Sequence, residues 1–275
     1  MILDRFRLTG RAAIVTGASR GIGAAVAVAL AEAGADVVVS ARSEDQLSVV
    51  AHQVSSTGRR AVAVPADLRD LDAVAGLAAT AADQFGRLDI VVNNVGGAMP
   101  GPFLGTQARH LERAFAFNVS IAHALTQAAV PHLLATAKLD GEGRAQEPPY
   151  TAAVVNISSV IGRVSGRGYL AYGTAKAALA HYTRLAAADL APRIRVNAVA
   201  AGAVATSALD IVLADEALRG QMERVTPLGR IAGPEEIAAA VVYLVSPAAN
   251  YVTGKILEVD GGIDRPNLDL GLPDL

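Results

Sequence analysis

Cysteine is absent from the 275 residues, and so is tryptophan. Without thiols the chain forms neither disulfides nor thiolate metal sites. Aromatics make up only 4% of a chain that is 52% hydrophobic, so its core is built from Ala, Val, Leu and Ile. The five histidines are scattered without paired metal spacing, and no metal is expected. Strong charge of either sign is also lacking. The formal net charge is −2 with no basic block, which argues against nucleic acid and anionic membrane surfaces as partners. The opening MILDRFRLTGR mixes Asp4 with Arg5 and Arg7 and has no apolar signal core, so the cytoplasm is the expected compartment. The segment 114–137 contains no Asp, Glu, Lys or Arg and is long enough to raise the question of a membrane span. Asn118, His123, Gln127, Pro131 and His132 interrupt it, and a helix buried in the protein or at a subunit interface is the expectation instead.

Apolar strand-like runs, most of them separated by Ala/Leu-rich helical stretches, extend from end to end. The runs are 12–17, 36–41, 61–67, 88–97, 152–159, 195–202 and 255–262. A helix is expected over 24–35, ended at Gly34, and another opens at the polar SEDQL. Near-continuous apolar strands alternating with helices predict an α/β fold, a parallel seven-stranded sheet with helices on both faces. The length fits a single domain over 1–275. The stretch 137–150 is charged and rich in Gly and Pro and reads as a surface loop. Ligands of such sheets bind beyond the carboxyl ends of the strands. Gly17, Asp67, Asn93, Asn94, Ser158, Ser159 and Gly202 all cluster there.

TGASRGIG, residues 16–23, follows the first strand and opens the first helix. Its glycines let backbone approach a pyrophosphate, and free amides at a helix N-terminus stabilise the anion. The second strand should end over an adenosine ribose. Its tip reads Ser40, Ala41, Arg42, with no carboxylate to bond a ribose diol, and Arg20 supplies a second nearby cation. Guanidinium groups bind phosphate bidentately, which favours NADP(H) over NAD(H). The plainer alternatives are that Arg42 is solvated or pairs with Glu44. In YLAYGTAKAALAHYTRLAA, residues 169–187, Tyr172 and Lys176 lie one helical turn apart on one face. That pair alone is a weak signal.

The ordered set is specific. TGASRGIG, NNVG (93–96), FNV (117–119), NISS (156–159), YGTAK (172–176) and PLGR…PEEIA…VDGG (227–262) resemble the short-chain dehydrogenase/reductase family over roughly residues 8–263, in the family's order. The likeness is greatest to 3-oxoacyl-carrier-protein reductases, carbonyl reductases and hydroxysteroid dehydrogenases. It implies a Rossmann-type doubly wound sheet and a hydride exchanged between nicotinamide and a carbonyl or secondary alcohol. It makes Tyr172 the acid/base, with Lys176 stabilising its phenolate and bonding the nicotinamide ribose. Ser159, thirteen residues before Tyr172, bonds the substrate oxygen, and Asn118 holds a relay water. Ser158 is structural. The implied cofactor contacts are Gly17, Ser19, Arg20, Gly21, Ile22 and Gly23 in the glycine turn, Ser40 and Arg42 at the second strand, and Asp67 and Leu68 beside the adenine. Asn94, Val95 and Gly96 pass the ribose, Val204 and Thr206 reach the carboxamide, and Tyr172 and Lys176 complete the set. Two positions depart from the pattern. Ala201-Gly202 replaces Pro-Gly, a change that would loosen the nicotinamide loop, and NNVG replaces NNAG. The loop at 137–150 lengthens the Asn118-to-Ser159 interval as an insertion.

The segments expected to line a substrate pocket, near 97–106, 160–170 and 203–225, are mostly apolar, so a hydrophobic carbonyl compound is favoured over a sugar. An NAD-dependent hydroxysteroid-type dehydrogenase is the nearer alternative. Rival classes are a nucleotide-sensing protein without chemistry and a structural partner in an oligomer. The intact Asn118, Ser159, Tyr172 and Lys176 argue against the first, and the complete glycine turn argues against the second. The apolar 114–137 and 172–190 helices imply a homodimer or homotetramer. The extension 263–275 alternates Leu268, Leu270 and Leu272 with Asp269 and Gly271, which puts the leucines on one side of an extended chain. It is expected to dock near a substrate pocket, on a neighbouring subunit.

Overall fold

The computed structural model describes residues 1–137, 151–268 and 270–272. Seven strands form one parallel sheet: β1 (Ala12–Thr16), β2 (Asp36–Ala41), β3 (Ala61–Pro65), β4 (Ile90–Asn93), β5 (Ala152–Ser159), β6 (Ile194–Ala201) and β7 (Ile256–Val259). The strand order is β3-β2-β1-β4-β5-β6-β7, so the winding reverses between β1 and β4. Helices α1 (Gly21–Glu32), α2 (Glu44–Ser56), α3 (Leu71–Phe85), α4 (Ala108–Phe115), α5 (Ile121–Thr136) and α6 (Leu170–Leu190) connect them. Beyond β6 follow α7 (Asp210–Ala214), α8 (Glu216–Val225) and α9 (Pro234–Val245).

The strands read as unbroken apolar runs because both faces of the sheet are covered. Alternate residues of β1 go to opposite cores. Ala13 and Val15 pack with Val26 and Leu30 of α1, Leu47 of α2 and Ile237 and Val241 of α9. Ala12 and Ile14 pack with Leu77 of α3, Leu125 and Leu133 of α5 and Ala187 of α6. Small residues keep these helices close to the sheet, where dispersion contacts are dense.

The uncharged run 114–137 is one continuous helical segment, in which a π turn over Ala116–Ser120 joins α4 to α5. Among the described residues no helix is long and apolar enough to cross a membrane. The predicted insertion 137–150 lies, except for Ala137, outside the described residues. Ala201 is paired on both sides, with Ser159 and with Val259, and Gly202 N donates to Val259 O at 3.0 Å.

Candidate active site

Two neighbouring regions at the carboxyl ends of the strands make up the site. The first is a groove of about 390 Å³ over β1, β2 and β4, lined by Gly17, Ser19, Arg20, Arg42, Asp67, Leu68, Asn94, Val95 and Gly96 among others. Gly17 adopts φ +63°, a left-handed conformation that favours glycine. A side chain at Gly23 would run into the carbonyl of Gly17. Asn94 braces this turn from across the sheet: its Nδ2 donates to Thr16 O at 3.0 Å and Gly17 O at 3.1 Å. The glycine turn is thus held open against the N-terminus of α1.

Arg20 and Arg42 are exposed on the groove wall, and no ion pair engages either one among the described residues. In particular, Arg42 does not pair with Glu44. Ser43, Gln46, Arg69 and Phe117 also line the groove and were not singled out in the sequence. The Arg69 guanidinium stands 5.9 Å from the centre of the Phe117 ring. Ser43 is the N-cap of α2, but its hydroxyl makes no capping bond and remains available. Both had a signal: Ser43 precedes an acidic helix start, and Arg69 follows the Asp67-Leu68 strand tip. Ser40 is placed differently from expectation. It is fully buried and its hydroxyl donates to Val64 O at 2.8 Å, toward the neighbouring strand rather than into the groove. Ile22 sits partly buried in the first turn of α1, and Val204 is buried and bridged to Ala232. Thr206 abuts the glycine turn, its Cγ2 lying 3.1 Å from where a Cβ on Gly21 would be.

The second region brings Ser159, Tyr172 and Lys176 together. Ser159 ends β5 and Tyr172 and Lys176 share a face of α6. Ser159 Oγ accepts from Ile161 N at 3.2 Å and stands close enough to the Tyr172 hydroxyl to favour its phenolate. Burial pushes the Tyr172 phenol above its ordinary value, Ser159 works against that shift, and Tyr169 adds to it. The Lys176 ammonium lies 5.8 Å from the centre of the Tyr172 ring and donates to Ile157 O at 2.8 Å. It is 3% exposed, and burial lowers its pKa to about 8. Gly96 makes room for it: a Cβ there would lie 2.5 Å from Lys176 Nζ and 2.6 Å from Asn118 Oδ1. Ser158 is structural, as expected, donating to Lys176 O at 3.1 Å.

Asn118 occupies the π turn, and both of its side-chain N–H groups are engaged. Nδ2 donates to Ala114 O at 2.8 Å and Gly97 O at 3.0 Å, while Oδ1 accepts from Gly97 N at 3.0 Å. It therefore fixes the chain leaving β4 against α4. Beneath the site runs a buried polar ladder: Asn93 Nδ2 donates to Asn156 Oδ1 at 2.8 Å, and Asn156 Nδ2 to Thr183 Oγ1 at 2.9 Å. An Asn within the apolar run VVNIS was its one visible sign. An apolar cavity of about 750 Å³ adjoins this region, between the chain after β4 and the α4–α5 segment, with Gly101, Phe117 and Gly168 in its walls. Neither Ser159 nor Tyr172 lines it.

A family model described as enoyl-(acyl carrier protein) reductase matches residues 17–264. An uncharacterized oxidoreductase of Mycobacterium tuberculosis (strain CDC 1551 / Oshkosh) is 56% identical over the whole of both chains. The 7alpha-hydroxysteroid dehydrogenase of Escherichia coli (strain K12) is 36% identical over 94% of this chain and 96% of its own. Among solved structures, a 7alpha-hydroxysteroid dehydrogenase complexed with NADH and 7-oxo glycochenodeoxycholic acid superposes with a TM-score of 0.86 at 34% identity, covering 96% of this chain and 98% of that one. Pseudomonas aeruginosa RhlG in complex with NADP also gives a TM-score of 0.86, at 33% identity, over 94% of this chain and 98% of that one.

Proposed function

Because the chain belongs to the short-chain dehydrogenase/reductase family and is one of its oxidoreductases, we propose that it catalyses NADP(H)-dependent exchange of a hydride between a carbonyl compound and the corresponding secondary alcohol, with Tyr172 as general acid and base. The observation that carries this reading is the convergence of Ser159, Tyr172 and Lys176 beside the nucleotide groove.

The groove suits a dinucleotide: an open glycine turn faces a helix N-terminus, with uncommitted guanidinium groups at the ribose end. Bound there, NADPH supplies the hydride. The protein's own residues manage the proton. The Tyr172 phenol, kept protonated by burial, donates to the carbonyl oxygen. Ser159 bonds that same oxygen and fixes its position. The nearby Lys176 ammonium stabilises the phenolate that remains. Asn118 contributes geometry through its side chain. A relay water would be held at the π turn, where Asn118 Oδ1 keeps one acceptor lone pair after its bond from Gly97 N.

Arg20, Arg42 and the free Ser43 hydroxyl support a 2′-phosphate, hence NADP(H) over NAD(H). Relatives are solved with NADH and with NADP, so the preference rests on these residues. An apolar substrate is favoured because Met99 and Ile211, on the two segments flanking the site, leave 89% and 82% of their surface open. The test is NADPH and NADH titration followed by turnover of a panel of ketones, oxo-steroids and 3-oxoacyl thioesters, with enoyl thioesters as counter-substrates. Tighter NADPH binding and ketone reduction are expected. Tighter NADH binding overturns the cofactor assignment, and reduction of enoyl compounds alone overturns the reaction.

A further inference from the structure

The chain after β7 turns back across its own site. Arg163 reaches it first, bonding Asp260 Oδ2 at 3.1 Å and the carbonyl of Ile263. Ile263 is buried against Val160 and Val164, just beyond Ser159. Asn267 is 9% exposed and donates to Thr226 Oγ1 at 3.0 Å, at the end of α8. Pro266 closes on the opposite wall: a Cβ on Gly166 would lie 3.0 Å from its Cγ. Leu270 and Leu272 converge on Gly168, where a Cβ would lie 2.8 and 2.9 Å from their Cδ1 atoms. Gly271 between them adopts φ +62°, so a bend of the chain, and not the extended alternation expected from the sequence, brings both leucines to one glycine. Gly168 in turn accepts from Gly101 N at 3.0 Å, so the loop under the leucines is tied to the chain after β4. The described tail residues contact their own chain.

Loop 163–169 lies between Ser159 and Tyr172 in the chain, and Gly168 in it is also in the wall of the apolar cavity. A tail fastened to this loop and to Thr226 ties the loop to the end of α8. Resting on the carbonyl-reductase reading above, we propose that residues 266–268 and 270–272 strap loop 163–169 to the end of α8 beside the Ser159–Tyr172 site, and that Leu270 and Leu272, seated on Gly168, determine how bulky an apolar carbonyl compound reaches Tyr172. They are specificity-determining residues that act through the loop. A side chain at Gly166 or Gly168 would crowd the strap's seat, and Gly168 also adopts φ +83°, which favours glycine by itself.

The test compares wild type, Leu270→Ala/Leu272→Ala and a chain ending at Arg265, using cyclohexanone as the small ketone and 2-decalone as the bulky one. The double variant keeps the Asn267–Thr226 bond, and so separates the seat from the fold. The ratio of kcat/KM for the bulky over the small ketone should rise about tenfold or more through KM, the scale on which a hydrophobic pocket discriminates size. Amide hydrogen exchange in 163–169 should quicken, with oligomer mass unchanged. A ratio within twofold of wild type, an equal loss on both ketones, or a changed oligomer mass overturns the strap. If wild type reduces no ketone, the functional reading fails, and the strap then stands or falls on exchange alone: unchanged exchange in the double variant overturns it.

Discussion

Lys176 is held in its site at a thermodynamic disadvantage. Its pKa falls from 10.5 to about 8 through burial, so between those values the unfolded chain binds a proton that the folded chain does not. Stability therefore rises with pH across that window, and below pH 8 the fold carries the whole penalty, roughly 3 kcal/mol. Lys176→Met should accordingly raise the melting temperature of the cofactor-free protein at pH 7 by several degrees while abolishing turnover. A lower melting temperature would show that the ammonium is a net structural asset. Tyr172→Phe removes only the proton donor, so nucleotide affinity should stay within about twofold while kcat falls by a factor of ~10² to 10⁴. Because burial raises the phenol, alcohol oxidation should gain with rising pH as the phenolate forms, and a flat profile would remove Tyr172 as the base. Tyr172 and Lys176 were legible in the sequence because a helix fixes what residues four apart do. The role of the Asn118 side chain was not, since its three partners come from Gly97 and Ala114, and only folding brings Gly97 near.

At the scale of elements, the strand cores were legible because continuous apolar runs have one use in a covered parallel sheet. Their ends were less so. The run 88–97 yields a strand of only Ile90–Asn93, because the Asn94 backbone N–H leaves the ladder to bond Thr16 Oγ1 at 3.0 Å and the chain turns into the groove. The π turn had no local signature; it exists through tertiary bonds to a side chain within it. The proposed preference for NADP(H) turns on the junction of β2 and α2. Ala41→Asp with Arg42→Ile places a carboxylate where the 2′-phosphate would sit and removes its guanidinium, so the ratio of NADPH to NADH affinity should fall at least tenfold in a fluorescence titration. An unchanged ratio would move recognition to Arg20, Ser43 or Arg69.

Across the whole molecule, the α4–α5 segment and α6 leave apolar surface uncovered. Phe115 is 48% exposed and Leu185 56%, and the His123 ring stands edge-on to Tyr182 beside them. A second copy of the chain is the natural cover, and light scattering at micromolar concentration should give a dimer or tetramer. A monomer would leave this surface for another partner. The leucine alternation of the tail could be read in the sequence, whereas its seat could not: Gly166 and Gly168 stand about a hundred residues earlier, and only the folded chain brings them under it. The central claim is chemical, and one measurement reaches it most directly: reduction of a ketone by wild-type enzyme with NADPH deuterated at nicotinamide C4, with the product examined by NMR and mass spectrometry. The account predicts one deuterium on the carbinol carbon, transferred from one face of the nicotinamide, and a solvent-derived proton on the oxygen. Deuterium at a carbon beside the carbonyl, or NADPH consumption without transfer to the product, would contradict it.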